Sequence, residues 1–191
     1  MQETIWLKTF KEVFENFARF DKCFEPKICF QKRHYARIMG RVTESKSRTN
    51  RNLDNIGYLS FCPECRWRKL EKVQECDYCG NTELKYAGPL WTGRYGDQRF
   101  TGEMLDRIPE EWEEAVKILE KLDSECQIRT PFYDIHELSS ELKVQAPKRK
   151  NVVEKLREKG YIVSRTHFEP TGIKTDAPYS DVRNAVESPL T

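Results

Sequence analysis

The apolar positions near the start of the chain follow a helical repeat. Their steps of four, three, one and three residues place them on one face of a helix spanning about residues 4–20. These positions are Trp6, Phe10, Val13, Phe14 and Phe17. Residues 27–31 and 35–42 then predict strands with basic side chains interleaved. The segment 43–55 is rich in Ser, Thr and Asn and predicts a loop, and a short strand follows at 57–61.

The middle of the chain combines a punctuated segment with a clear helix. After a predicted strand at 84–86, residues 87–102 contain five glycines and prolines, so we predict no regular structure there. Pro109 and the four glutamates that follow it predict a helix running to about Glu125. Proline in the first turn loses no useful hydrogen bond, and acidic side chains favour a helix N-terminus. The side chains predicted to be buried on this helix are Trp112, Ala115, Val116, Leu119 and Leu122.

Two consecutive helices are predicted in the last third. Asp134 can cap the first, with Glu137 three residues later as its capping-box partner, and Pro147 and Gly160 can start and end the second. A strand at 161–164 and a hairpin-like segment at 166–172 follow. Helix, turn, helix, strand and wing is the order of a winged helix.

Composition narrows the class of protein without identifying it. The chain has 191 residues, 38% hydrophobic and 34% charged, which is enough for one core or two small ones. No run approaches the ~20 apolar residues of a membrane span, and no secretory signal is visible. We therefore expect a soluble, cytoplasmic protein with no membrane partner.

The distribution of charge is more informative than the net charge of +2. Residues 27–51 hold eight lysines and arginines against one acid, whereas residues 101–127 hold nine acids against three bases. The basic run predicts a contact with a polyanion, and its alternative is an ordinary solvated surface. For the acidic run, a solvated surface is the favoured interpretation.

Four of the seven cysteines form two Cys-x-x-Cys pairs, Cys62/Cys65 and Cys76/Cys79, separated by ten residues. Such pairs at this spacing suit a tetrahedral cage of four sulfurs, so we predict one structural zinc ion, with all four ligands from the protein. A redox pair, incidental cysteines and an iron–sulfur cluster are the alternatives. The remaining three, Cys23, Cys29 and Cys126, are predicted to be reduced and structural.

Candidate RNA contacts follow from cations and aromatic residues near predicted strands. Arginine, lysine and histidine can contact phosphate, and tyrosine can stack on a base. Two of the candidates, Arg165 and His167, lie near the tip of the predicted wing, although for His167 a local role in the turn is equally plausible. His34 taken alone is more typical of a packed or surface histidine. The predicted contacts are Arg33, His34, Tyr35, Arg37, Arg41, Lys46, Arg48, Arg51, Arg165, His167 and Lys174.

The motifs expected of a self-sufficient enzyme are absent from the sequence. It contains no Gly-x-Gly loop and no His-x-x-x-His pattern. The segment Asp176-Ala-Pro-Tyr179 is only a faint likeness to an amino-methyltransferase tetrad, and we reject it as one. We predict a binding module of the α+β class, with an N-terminal helix and β-strands, a zinc-ribbon insert and a C-terminal winged-helix-like domain. The predicted segments are 1–56, 57–100 and 101–178, followed by a tail at 179–191.

Several stretches resemble the C-terminal part of archaeal-type tRNA (guanine-26-N2) dimethyltransferases. The longest runs from Ser164 to Pro178 and reads Ser-Arg-Thr-His-Phe-Glu-Pro-Thr-Gly-Ile-Lys-Thr-Asp-Ala-Pro. The resemblance extends from about residue 6 to 178. The other matching stretches are Phe17-Ala-Arg-Phe-Asp-Lys22 with Glu25-Pro26, His34-Tyr-Ala-Arg37, Asn55-Ile-Gly-Tyr58 and Gly88-Pro-Leu-Trp91.

The resemblance implies tRNA as a partner and S-adenosylmethionine as the methyl donor of the whole enzyme. In that family the catalytic domain precedes the matched region, so its cofactor pocket and catalytic residues have no positions here. We therefore expect a tRNA-binding module served by a methyltransferase domain in cis or in trans, whether as a fragment, a split subunit or a stand-alone protein. The alternatives are a zinc-ribbon and winged-helix DNA-binding protein of the transcription-factor type, and a scaffold that only docks a partner protein.

Overall fold

The structure, a computed structural model, describes residues 2–32 and 35–187. No helix in this part of the chain is long and apolar enough to cross a membrane. The helices are α1 (Gln2–Ala18), α2 (Lys46–Leu53), α3 (Gln98–Leu105), α4 (Glu113–Glu125), α5 (Ile135–Leu142), α6 (Arg149–Glu158) and α7 (Tyr179–Glu187). The strands are β1 (Lys22–Lys32), β2 (Tyr35–Glu44), β3 (Ile56–Phe61), β4 (Arg68–Lys69), β5 (Lys85–Trp91), β6 (Tyr133–Asp134), β7 (Val163–Arg165) and β8 (Gly172–Thr175). Helices with small antiparallel sheets confirm the predicted α+β class.

Helix α1 packs with the face that its apolar repeat predicted. Trp6, Phe10 and Phe14 are buried in a cluster shared with β1, β3 and β5. The ring of Phe14 stacks on Trp91, with 3.7 Å between centroids. Aromatic side chains contribute large apolar areas, so these contacts hold the helix against the sheet.

Strands β1 and β2 form an antiparallel ribbon that runs from the pair Lys22 and Glu44 to the pair Lys32 and Tyr35. β1 packs inward through residues such as Phe24 and Ile28, whereas β2 is exposed along most of its length. The ribbon therefore projects a solvent-facing strand from the core.

Two segments that we predicted to lack regular structure are partly ordered. Residues 43–55 include α2, where the Ser45 side chain caps the helix by accepting a hydrogen bond from the Arg48 N–H. Residues 87–102 include the end of β5 and the start of α3, which Asp97 caps by accepting from the N–H groups of Arg99 and Phe100. α2 is short and polar, so the apolar repeat that marks α1 is missing from it. α3 does have apolar side chains, which pack against the cluster of Ile28, Leu119 and Leu122, but its eight residues make only about two turns.

The last third confirms the Asp134 cap, because its carboxylate accepts from the N–H groups of His136 and Glu137 at 2.7 and 3.2 Å. β8 lies between β6 and β7 in one antiparallel sheet. Two expectations need correction. Trp112 is 60% exposed because α4 begins only at Glu113, and residues predicted as a tail form α7, whose apolar side is buried.

A buried ion pair joins the two ends of this fold. Lys174 on β8 is fully buried, and its Nζ donates to Glu3 Oε1 at 2.8 Å and to the Tyr95 hydroxyl at 2.6 Å. The other carboxylate oxygen of Glu3 accepts from the Phe132 N–H at 2.8 Å. α1 is thus fixed to the C-terminal sheet by charge as well as by apolar packing.

Candidate metal centre and nucleic-acid surface

The first Cys-x-x-Cys turn follows β3 directly. The Arg66 N–H donates to the Cys62 carbonyl at 2.9 Å, and the Cys62 N–H donates to the Trp67 carbonyl at 2.8 Å. Arg66, directly after Cys65, has φ +66, in the left-handed region. This tight turn places Cys62 and Cys65 on one side of the backbone.

The second turn repeats the first one bond for bond. The Gly80 N–H donates to the Cys76 carbonyl at 3.0 Å, and the Cys76 N–H donates to the Asn81 carbonyl at 2.9 Å. Gly80 has φ +73 and occupies the place that Arg66 has in the first turn. Glycine adopts this conformation at no steric cost, whereas a residue with a side chain is uncommon there. The two turns are therefore equivalent half-sites.

The four cysteine sulfurs meet between these turns, all within 4.8 Å of one another. The Sγ atoms of Cys62 and Cys79 are 3.6 Å apart, as are those of Cys65 and Cys76. Four sulfurs at ~2.3 Å from a zinc ion in a tetrahedron would be about 3.8 Å apart. The arrangement therefore fits a tetrahedral metal ion with only small adjustment.

The surroundings of the sulfurs act on the pKa values of the thiols in opposite directions. Burial, the strongest influence, raises the pKa of Cys62, but hydrogen bonds from the Cys65 N–H, the Asn81 side chain and the neighbouring thiols together lower that pKa to about 7. Burial raises the pKa of Cys65 and of Cys76. A cation among these groups would favour the thiolate form of each.

The cluster is part of the C-terminal core, since Cys62, Cys65 and Cys76 pack with Tyr179 and its neighbours. The Tyr179 hydroxyl donates to the Cys65 carbonyl. Cys79 is the exposed member of the set. The three cysteines outside the cluster are free and buried, as predicted: Cys23, Cys29 and Cys126.

The exposed strand β2 carries the clearest basic surface predicted from the sequence. Tyr35, Arg37, Met39 and Arg41 alternate along it, so they share one face, and all four are exposed. The Arg37 guanidinium lies over the Tyr35 ring, 5.0 Å from its centroid. A cation beside an exposed aromatic ring is suited to a nucleic-acid strand, because phosphates and bases can be contacted together.

Helix α2 extends this surface with Lys46, Arg48 and Arg51, which are all exposed. Arg48 forms an exposed ion pair with Glu25 at 3.2 Å, which contributes little and can be exchanged for a phosphate. Two further predicted contacts, Arg33 and His34, lie outside the described residues. We call Tyr35, Arg37, Arg41, Lys46, Arg48 and Arg51 the ribbon surface.

The remaining predicted RNA contacts lie elsewhere, and the structure separates them. Arg165 is exposed at the end of β7. Lys174 is fully buried in its ion pair with Glu3, so the prediction that it contacts RNA at the surface is corrected. The His167 side chain is 5% exposed and bonded to Glu125, so it lies below the surface rather than at a wing tip.

Three cations outside the predicted set of RNA contacts lie beside Arg165 and His167. Lys117 and Lys121 belong to the run we assigned to a solvated acidic face, and Arg157 lies on α6. Their i, i+4 spacing puts the two lysines on one side of α4, and this spacing was the available signal. The count of charges over residues 101–127 did not reveal this basic side of the helix.

Comparison with known proteins identifies the family of this chain. A family model described as N2,N2-dimethylguanosine tRNA methyltransferase matches residues 7–187. The chain belongs to this family. A tRNA (guanine(26)-N(2))-dimethyltransferase of Methanosphaera stadtmanae is 33% identical over 163 residues, which is 80% of this chain and 42% of that protein. One of Methanopyrus kandleri is 35% identical over 164 residues, which is 84% of this chain and 43% of that protein.

A solved structure of the same family agrees. Trm1 from Pyrococcus horikoshii, determined as a complex with S-adenosyl-L-methionine, matches with a TM-score of 0.77 and 27% identity. The match covers 92% of this chain and 47% of that one. The chain thus spans less than half the length of the family members it matches.

Proposed function

We propose that the chain is the tRNA-binding part of an S-adenosylmethionine-dependent tRNA guanine-N2 dimethyltransferase, acting with a catalytic domain in cis or in trans. The observation that carries this proposal is the ribbon surface, a solvent-facing strand and helix of cations and an aromatic ring, in a chain that belongs to this family. No residue here is assigned to S-adenosylmethionine, because the sequence contains no glycine-rich nucleotide loop. When bound elsewhere, that cofactor supplies the methyl group.

We also propose that the four cysteines hold zinc in a zinc-ribbon arrangement. The equivalent turns, the sulfur spacing and the pairing of β3 with β4 and β5 support it. All four ligands would come from the protein, so the ion would be structural and would leave no position open for substrate.

For the last third we propose a winged-helix-like unit, supported by the order α5, α6, β7, β8 and by the pairing of those two strands. We propose that the chain divides into three segments with different roles, at 1–56, 57–100 and 101–178. Helix α7 extends the third segment. The transcription-factor alternative is not favoured, because the family match is to tRNA methyltransferases.

The ribbon surface can be tested by neutralising Arg37, Arg41 and Arg48 together with glutamine. We expect weaker binding of a tRNA transcript and a shallower dependence of the logarithm of the binding constant on the logarithm of the salt concentration. Each lost phosphate contact removes roughly 0.7–0.9 from that slope, so three should remove about 2. Fluorescence anisotropy over a salt series measures both quantities.

The matched control removes three exposed charges elsewhere, at Lys8, Lys85 and Arg107. This control should keep the slope of the unsubstituted chain. An unchanged slope in the ribbon variant would reduce the ribbon to an ordinary solvated surface. Equal or tighter binding of duplex DNA by the unsubstituted chain would revive the DNA-binding alternative.

If this chain binds tRNA and another domain catalyses methyl transfer, the outcome of a mixing experiment can be predicted. Methylation of unmodified tRNA is measured with labelled donor for this chain alone, for a catalytic domain of the family alone and for both together. We expect no incorporation by this chain alone, and more by the mixture than by the catalytic domain alone. Methyl transfer by the chain alone would overturn the proposal.

A further inference from the structure

Two adjoining cavities flank the lysine side of α4. The first, of about 250 Å³, is lined by Lys32, Lys117, Lys121 and His167, among others. The second, of about 280 Å³, is also lined by Lys117 and Lys121 and continues to Arg157 and Arg165. The two cavities therefore adjoin at Lys117 and Lys121. We call Lys32, Lys117, Lys121, Arg157, Arg165 and His167 the α4 groove.

A hydrogen-bonded pair of side chains, His167 and Glu125, lies at the inner end of this groove. Glu125 is fully buried, and its carboxylate accepts from His167 Nδ1 and from the His167 backbone N–H. This bond fixes the ring and leaves Nε2 as its free nitrogen. Nε2 is buried and has no hydrogen-bond partner in the part of the chain that the structure describes. A buried polar atom without a partner is costly and therefore indicates a missing ligand or water.

The cations of the groove are only weakly neutralised. Lys32 and Lys117 pair with Glu114 and Glu113, but both carboxylates are largely exposed, and such pairs contribute little. Two carboxylates, Glu114 and Glu120, line the cavities, and the lysines and arginines outnumber them. No described carboxylate forms an ion pair with Lys121. The groove therefore retains positive charge that a ligand can meet.

The far end of the groove also has an excess of positive charge. Neither Arg157 nor Arg165 forms an ion pair with a described carboxylate. The Arg157 guanidinium donates to the Val163 carbonyl at 3.0 Å, a partner that carries no charge.

We propose that the α4 groove binds consecutive phosphates of a tRNA strand, with His167 Nε2 donating to a phosphate oxygen at its inner end. Because the Glu125 carboxylate holds the ring through Nδ1, the ring would present Nε2 to the phosphate. The proposal rests on the tRNA-binding function above and adds a second contact, made by elements outside the ribbon surface. A row of cations over a histidine-lined cavity favours a polyphosphate backbone over an apolar protein surface.

The test replaces Lys121, Arg157 and Arg165 together with glutamine and measures tRNA binding over a salt series. We expect a slope shallower by about 2, as for three lost phosphate contacts, with the Lys8, Lys85 and Arg107 variant as control. Normal binding by the groove variant, when the ribbon variant is impaired, would overturn this inference and leave the proposed function standing. Failure of the unsubstituted chain to bind tRNA would instead overturn the proposed function.

A second measurement addresses His167 without removing it. The Nε2 resonance of His167 in chain labelled with ¹⁵N-histidine should shift when a short single-stranded RNA is added, and should stay in place in the groove variant. An unmoved His167 resonance at saturating RNA would overturn its assigned role. A groove variant that binds tRNA normally but no longer cooperates with the catalytic domain would show that the groove docks protein rather than RNA.

Discussion

Replacing Cys79 with serine should release the metal ion and unfold the region around it. Cys79 is the exposed member of the cluster, so the substitution costs little packing, and nearly all of its effect should come from the lost ligand. Structural zinc binding is coupled to folding, with apparent free energies of about 10–16 kcal/mol in zinc-finger peptides. We expect zinc content to fall from one ion per chain towards none. The thermal transition should fall by tens of degrees or lose its cooperativity.

Cys126→Ser is the matched control, because Cys126 is buried outside the cluster and its Sγ donates to the Asp123 carbonyl at 3.2 Å. A serine hydroxyl can keep that bond, so the cost should be about 1–2 kcal/mol with zinc content unchanged. Mass spectrometry of the native protein and elemental analysis give the metal content. A Cys79→Ser protein that keeps its stability, or an unsubstituted protein that is folded without zinc, would contradict the proposed metal site.

Lys174→Met should destabilise the fold by about 3–5 kcal/mol, because it leaves the Glu3 carboxylate buried without its counter-charge. The Phe132 N–H would remain as its hydrogen-bond donor, and the Tyr95 hydroxyl would lose its donor as well. Chemical denaturation measures the free energy of unfolding. The transition should move to lower denaturant with little change in its slope.

The double variant Glu3→Gln with Lys174→Met tests the physical reason. Glutamine still accepts from Phe132 and carries no charge, so the double variant should recover most of the loss. Lys159→Met serves as control, since Lys159 pairs with Asp181 at the surface and its loss should shift the transition little. A double variant as unstable as Lys174→Met would mean that the lysine acts through packing instead of charge.

Local sequence patterns predicted the features that depend on near neighbours. The repeat of α1, the Asp134 cap and the pairing of Cys-x-x-Cys turns each lie within a short stretch, so the residues alone carry the signal. The short helices α2 and α3 were missed for different reasons: α2 has no apolar stripe, and the apolar side of α3 is too short to show a repeat, so caps and neighbouring elements stabilise both.

The roles of several charged residues were harder to predict, because they depend on contacts distant in sequence. Lys174 is a basic residue in a polar-looking stretch, and only its partner Glu3 makes it a core residue. His167 is positioned by Glu125, which the sequence places within an acidic run. The lysines of α4 line a cavity together with Arg157 and Arg165, which lie on other elements.

The link between Glu3 and Lys174 also constrains the order in which the chain can fold during its synthesis. The two residues are 171 positions apart, so the carboxylate leaves the ribosome long before its counter-charge does. Until β8 is complete, α1 can rest its aromatic face on β5 but must leave Glu3 in water, since a buried unpaired carboxylate is unfavourable. Helix α1 is therefore made before most of this region and is among its last elements to reach a final position.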